Sequence, residues 1–288
     1  MNRINRKLVF FAAFVLALLL PFAISSMQPH NSALLAAHEG DYPYANAIAL
    51  TEPKVPVTTE TVEYTTIDGQ AVEGYFAYPE NATEPLPGII AIHEWWGLNE
   101  NIEAMTRRLA GEGYQVLAVD LYGGEVAESP DEARQLMEAA NKNALVTEAN
   151  ISQAYRYLTQ EKQASTVGSI GWCFGGSWSL QTALIFPKEL DAAVIYYGGK
   201  VGEVSAEELD AIEAPILGIF GAEDKSIPVA TVNELASTLD ELGKTSEFYI
   251  YEDAGHAFAN PSGQNYVPDA AEKAWEETTN FLEEYLSD

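Results

Sequence analysis

Residues 166–176 read Thr-Val-Gly-Ser-Ile-Gly-Trp-Cys-Phe-Gly-Gly. Thr166–Gly171 is a short apolar run of strand length, and Gly175–Phe186 reads as a helix. The chain therefore turns sharply at Cys173, with glycines two residues before and two residues after it. A side chain at either place would collide with neighbouring backbone in so tight a turn. The pattern is G-x-S-x-G, which raises a nucleophile at the end of a strand, with a thiol in place of the hydroxyl. The helix start puts partial positive charge near the sulfur and favours the thiolate. A lone cysteine is ordinarily a small buried hydrophobe. The motif and its strand–turn–helix setting point to a nucleophile instead.

Working outward, short apolar runs alternate with helical stretches. Strands are expected at Gly88–His93, Gln115–Asp120, Ala192–Tyr197, Ile216–Phe220 and Glu247–Tyr251. Helices are expected at Asn99–Glu112, Pro130–Ala140, Ala144–Thr159, Val229–Leu242 and Asp269–Leu286. Continuous apolar strands between amphipathic helices mean an α/β fold, a mainly parallel central sheet covered on both faces. Thr59–Thr66 and Ala71–Tyr78 flank Asp68-Gly69, a hairpin signal ahead of that sheet. Residues 56–288 read as one domain, within the size such domains reach.

A thiol nucleophile needs a base, and the base needs an orienting acid. His256 lies in Asp253-Ala254-Gly255-His256-Ala257-Phe258, just after the last strand. Asp224 follows the strand Ile216–Phe220, with Glu223 as its adjacent rival. The chain order Cys173, Asp224, His256 is nucleophile, acid, histidine. His30 and His38 fall in residues 28–55, an irregular linker or extension, and are poor candidates. His93-Glu94-Trp95-Trp96-Gly97 closes an early strand, where α/β sites lie. Glu94 there is costly unless paired or protonated. His93 is expected to be a core histidine, and Gly97 rules out H-E-x-x-H metal chemistry. Trp95 and Trp96 serve packing or line an apolar pocket.

Acids outnumber bases 43 to 15, a net charge of −28. So acidic a chain repels nucleic-acid backbones and anionic lipid. One cysteine excludes an intramolecular disulfide and a Cys-rich zinc site. Residues 1–27 join a basic start (Arg3, Arg6, Lys7) to the apolar run Leu8–Ile24. That reads as a cleaved signal peptide or an uncleaved anchor, and places the folded part outside the cytoplasm, periplasmic or extracellular. Membrane contact is expected only through that segment, and the folded part is expected to be monomeric.

These motifs together resemble the dienelactone hydrolase family, carboxymethylenebutenolidases of the α/β-hydrolase fold. The anchors are Gly-Trp-Cys-Phe-Gly-Gly at 171–176, His-Glu-Trp-Trp-Gly at 93–97 and Val-Asp-Leu-Tyr at 119–122. Tyr-Tyr-Gly at 196–198, Gly-Ala-Glu-Asp at 221–224 and Ala-Gly-His-Ala-Phe at 254–258 complete them. The resemblance implies a Cys173 nucleophile, a His256 base, Asp224 as its orienter, and Glu94 as a glutamate contacting the resting thiol. It implies an oxyanion hole from the N–H groups of Trp95 and Phe174, and Trp96, Tyr122 and Tyr197 around the substrate. It implies a small-molecule ester or lactone as substrate, and neither cofactor nor metal. The arginines that hold a carboxylated lactone in such relatives are not evident: Phe258-Ala259-Asn260 stands at one place and Arg134 lies near the other. An exported broad-specificity carboxylesterase and a catalytically silent binding fold are the competing readings.

Overall fold

The computed structural model describes residues 35, 36, 38 and 41–287. The expected signal or anchor segment and His30 lie outside the described residues. The chain forms an eight-stranded sheet: β1 Val57–Ile67, β2 Gln70–Pro79, β3 Gly88–Ile92, β4 Gln115–Val119, β5 Val167–Trp172, β6 Ala192–Tyr196, β7 Ile216–Gly221 and β8 Ser246–Tyr251. Their spatial order is β1-β2-β4-β3-β5-β6-β7-β8. Strands β3 to β8 run parallel, and β2 joins β4 antiparallel. Strands β1 and β2 pair antiparallel across Asp68-Gly69, both with positive φ, as a tight two-residue turn requires.

Every residue of β3, β4, β5, β6 and β7 is buried, because helices cover both faces. Ile89, Ile90 and Ile92 are fully buried, each stabilising the fold by about 1.5–3 kcal/mol. The major helices are α1 Glu100–Gly111, α2 Pro130–Lys142, α3 Ala144–Arg156, α4 Phe174–Ile185, α6 Val229–Glu241 and α7 Pro268–Leu286. Asn99 caps α1 by accepting from Ile102 N, and Ser129 caps α2 ahead of Pro130. Two glycines of β5 show the layering. A Cβ on Gly168 would meet Leu286 of α7 at 3.0 Å. One on Gly171, three residues on and so on the other face, would strike the Gly175 carbonyl of α4.

Two features depart from the sequence reading. The helix expected over Ala144–Thr159 continues as a π-helical turn at Tyr157–Glu161. A short helix, α5 Ala206–Ala211, was not expected because six residues show no period. Its one signal is the capping box of Ser205 and Glu208.

Candidate active site

Strand β3 lies between β4 and β5, so successive connections diverge from it in opposite directions. In such sheets a crevice opens at the carboxyl ends of the two diverging strands. Cys173 directly follows β5, and Glu94 and Trp95 leave β3. The loops after β7 and β8 carry Asp224 and His256 to the same edge.

Cys173 has φ 56° and ψ −112° and immediately precedes α4. Tyr197 (φ 38°) and Ala257 (φ 58°), one just after β6 and one beside His256, also sit in the left-handed region. Each such residue costs about 1–3 kcal/mol, which the surrounding packing must offset. The elbow closes only because Gly171 and Gly175 lack side chains: a Cβ on Gly175 would overlap the Ile92 carbonyl. The strained turn leaves the Cys173 sulfur at the helix start rather than inside the sheet.

His256 Nε2 lies 3.2 Å from Cys173 Sγ, and His256 Nδ1 lies 2.7 Å from Asp224 Oδ2. A carboxylate accepts only, so Nδ1 carries a hydrogen and Nε2 faces the sulfur. Asp224 Oδ1 accepts from Ser226 N at 2.7 Å and Ile227 N at 3.1 Å, which locks the carboxylate. The rival Glu223 is exposed. Burial works against charge on all three groups, and their partners outweigh it. The His256 charge and hydrogen bond, followed by those of His38, bring the Cys173 thiol down to about 6. The thiolate and Asp224 hold His256 well above its ordinary value. The His256 bond keeps Asp224 below the usual carboxylate range. These shifts favour a thiolate–imidazolium pair at neutral pH.

Glu94 is buried, and its Oε2 accepts from Asn260 Nδ2 at 2.7 Å. Its Oε1 has no hydrogen-bond partner, so Glu94 does not bond the sulfur. Burial, followed by the charge on Cys173, pushes its carboxyl up to about 8. His93 is a satisfied core residue: Nδ1 faces the Glu94 carbonyl at 2.6 Å and Nε2 accepts from Leu121 N at 3.2 Å. Phe174 opens α4, so its N–H is one that a helix leaves without an internal partner.

The place beside the sulfur expected for Glu94 is filled by His38, which corrects the reading of His38 as a linker residue. Its Nε2 lies 3.8 Å from Cys173 Sγ and its Nδ1 lies 2.7 Å from Asp41 Oδ2. Burial alone would lower this imidazole; the Asp41 bond and then the thiol raise it instead. The only local hint in the sequence is a His and an Asp three residues apart in an aperiodic stretch.

A cavity of about 250 Å³ opens at the sulfur, with Cys173, Phe174 and His256 on one wall and Glu138, Lys200 and Glu203 among its other lining residues. Trp96, Tyr122 and Tyr197, expected to touch substrate, do not line it. They pack behind it: Trp96 on Trp95, Tyr122 on Phe174 and Tyr197 on His256, with ring centroids 5.2, 5.6 and 5.3 Å apart. Large rings at a strained turn fill volume behind the reacting atoms. Arg134 is ion-paired with Glu138 and Asp131. Among the described residues, one cluster has metal-type donors: His38, Cys173 and His256, whose donor atoms lie within 4.8 Å of one another. Both imidazoles face the sulfur and each is backed by a carboxylate.

The Dienelactone hydrolase family model matches residues 72–286. The chain belongs to the dienelactone hydrolase family. It is 33% identical over 252 residues to a putative carboxymethylenebutenolidase of Saccharolobus solfataricus, covering 75% of this chain and 95% of that protein. A putative dienelactone hydrolase from Klebsiella pneumoniae superposes with a TM-score of 0.71 at 28% identity, over 80% of this chain and 100% of that one. A dienelactone hydrolase-like promiscuous phosphotriesterase from metagenomic libraries also gives 0.71, at 25% identity, over 80% and 99%. Members of the family are α/β-hydrolases that act on small esters or lactones, and the crevice described above lies within the matched residues apart from His38 and Asp41.

Proposed function

We propose that this family member hydrolyses a carboxylic ester or lactone through Cys173, His256 and Asp224, by way of a thioester. One observation carries the reading: the imidazole joins the sulfur, at 3.2 Å, to the carboxylate, at 2.7 Å, with the sulfur and the imidazole on the wall of a cavity. The Cys173 thiolate attacks the carbonyl carbon, and the oxyanion is met by the N–H groups of Phe174 and Trp95. The leaving oxygen takes the His256 proton as its bond to carbon breaks. Neutral His256 then draws a proton from water, which attacks the thioester. Glu94, protonated below about pH 8, adds no second negative charge beside the thiolate.

The substrate is a neutral ester or lactone. Glu138 and Glu203 border the cavity, and Lys200, its one lining lysine or arginine, donates to Asn141 at 3.1 Å. Asn260 is engaged with Glu94, and Arg134 is neutralised by its acidic partners. The basic start and apolar run of residues 1–27 support export of the folded part, which N-terminal sequencing of protein recovered from cell fractions would check. The test of function is a panel of p-nitrophenyl acetate, a neutral lactone and a carboxylated dienelactone, wild type beside Cys173→Ala. Turnover by the wild type alone, with the carboxylated lactone poorest, is expected. Equal turnover by both proteins would overturn the nucleophile assignment. Absence of turnover by a folded wild type whose thiol labels slowly would favour a binding protein.

A further inference from the structure

The described residues ahead of β1 form no strand, yet they are fastened to the domain. Asn46 N donates to Ser262 Oγ at 2.9 Å, and Asn46 Nδ2 donates to the Pro261 carbonyl. Asn99 Nδ2 donates to the Pro43 carbonyl at 3.0 Å, and Gln264 N donates to Asp41 Oδ1 at 2.7 Å. Three of these partners belong to the loop that follows His256. Farther along, Pro53 lies so close to Gly111 that a Cβ there would approach it to 2.7 Å. At the inner end of this strap His38 is fully buried. Its ring stacks on Trp95 at 4.4 Å and stands edge-on to His256 at 5.1 Å.

Ordinary packing accounts poorly for this placement. A buried carboxylate is costly unless it is fully bonded, and Asp41 is bonded at both oxygens: Oδ2 holds His38 Nδ1, and Oδ1 accepts from the strap's anchor. The remaining ring nitrogen, Nε2, has the Cys173 sulfur as its hydrogen-bond partner. That repeats the arrangement of Asp224, His256 and Cys173 with a second set of residues. His38 is absent from the cavity lining, whereas His256 is part of it.

We propose that His38, delivered by the N-terminal strap and backed by Asp41, is a second catalytic imidazole of this hydrolase, holding the Cys173 thiolate while His256 serves the substrate. The role deepens the hydrolase reading and rests on it; the imidazole–thiolate contact does not. With Nδ1–H committed to Asp41, a protonated His38 presents Nε2–H to the sulfur. During acylation the S–C bond forms, the bond from carbon to the leaving oxygen breaks, and that oxygen leaves with the His256 proton. During deacylation His256 takes a proton from water as the water oxygen bonds to the carbonyl carbon. The C–S bond then breaks, and its electron pair returns to a sulfur still facing the Nε2–H of His38. His38 ends protonated as it began, and the net change is ester plus water to acid plus alcohol. One imidazole can thus exchange protons with substrate without leaving the thiolate unpartnered. The other groups acting on the sulfur are Glu94, Tyr122 and Tyr197, with Asp41 and Asp224 behind the two rings.

The test uses the full chain with His38→Gln, which keeps size and a donor but no titratable ring, and His38→Ala. Iodoacetamide reports on Cys173 alone, since the chain has one cysteine. Losing a charge-assisted bond to the thiolate should raise the alkylation midpoint by about one pH unit, which cuts the thiolate about twofold near pH 7 and about tenfold near pH 5. Ester turnover should fall about ten- to hundredfold in kcat, with KM falling alongside it as acyl-enzyme accumulates. Circular dichroism of His38→Gln controls for folding. An unmoved alkylation midpoint in both variants overturns the proposal. So does a gain in turnover, which would make the strap a plug over the site. A shifted midpoint in a protein that hydrolyses no ester would sustain the thiolate contact while refuting the hydrolase reading.

Discussion

Two imidazole–carboxylate pairs face one sulfur, and they are built in opposite ways. His256 and Asp224 lie 32 residues apart and meet because β7 and β8 are neighbours in the sheet. His38 and Asp41 are three residues apart, among described residues that form no strand, and 135 residues separate His38 from Cys173. The first pair is held by two adjacent parallel strands, β7 wholly buried and β8 half-buried. The second is held by a few hydrogen bonds, to the loop after His256 and to Asn99, so it can open locally at lower cost. A thiol can therefore be tuned by one scaffolded partner and one strapped partner of different stability.

The largest effect tests what both pairs share. Cys173→Ala should lower turnover by about 10⁴-fold or more with the fold intact by circular dichroism; residual rates near wild type would remove the sulfur from the chemistry. Breaking the pairs separately comes next. Asp224→Asn should cost about 10⁴-fold in kcat, because His256 loses its tautomer and its supporting charge. Asp41→Asn should cost about tenfold. Equal losses in steady-state assays would erase the distinction drawn between them.

The pH profile sharpens it further. Cys173 is pulled down to about 6, so kcat/KM should fall as pH drops through about 6, where the thiolate takes up a proton. Glu94 is pushed up to about 8, so activity should decline above that value as a second anion appears beside the sulfur. In Glu94→Gln that alkaline decline should move or vanish while the acid limb stays; an unchanged alkaline limb would assign it elsewhere. The smallest effect concerns the strap. Asn46→Ala removes the bond to Pro261 and the bonds that Oδ1 accepts from Ile48 N and Ala49 N. It should lower Tm by a few degrees, roughly 2–4 °C per kcal/mol. Amide exchange should quicken in residues 41–56 more than in β3 or β5; uniform quickening would show that the strap is part of the global unfolding unit.

Much of this was legible beforehand because it is local. Apolar runs of strand length, the glycines around Cys173 and the order of Cys173, Asp224 and His256 depend on short-range sterics and on chain order. The sheet's helical cover follows from the same pattern, since a strand with no polar face must be buried on both sides. Exposure of Glu223 and burial of Asp224 were not legible, because adjacent acids after a strand differ only in which way the turn aims them.

The amino-acid sequence by itself determined the α/β class and the elbow that holds Cys173 at the end of β5, because each is written in periodicity or in a contiguous motif. Only the tertiary structure decided what surrounds the sulfur. It took Glu94 to Asn260 and set Trp96, Tyr122 and Tyr197 behind the cavity rather than in it. It also brought His38 from an aperiodic strap to Cys173. Those outcomes turn on competition for a few ångströms of buried space between groups far apart in the chain. Such a competition is settled by packing and by the need of every buried polar atom for a partner, and it leaves no local pattern to read.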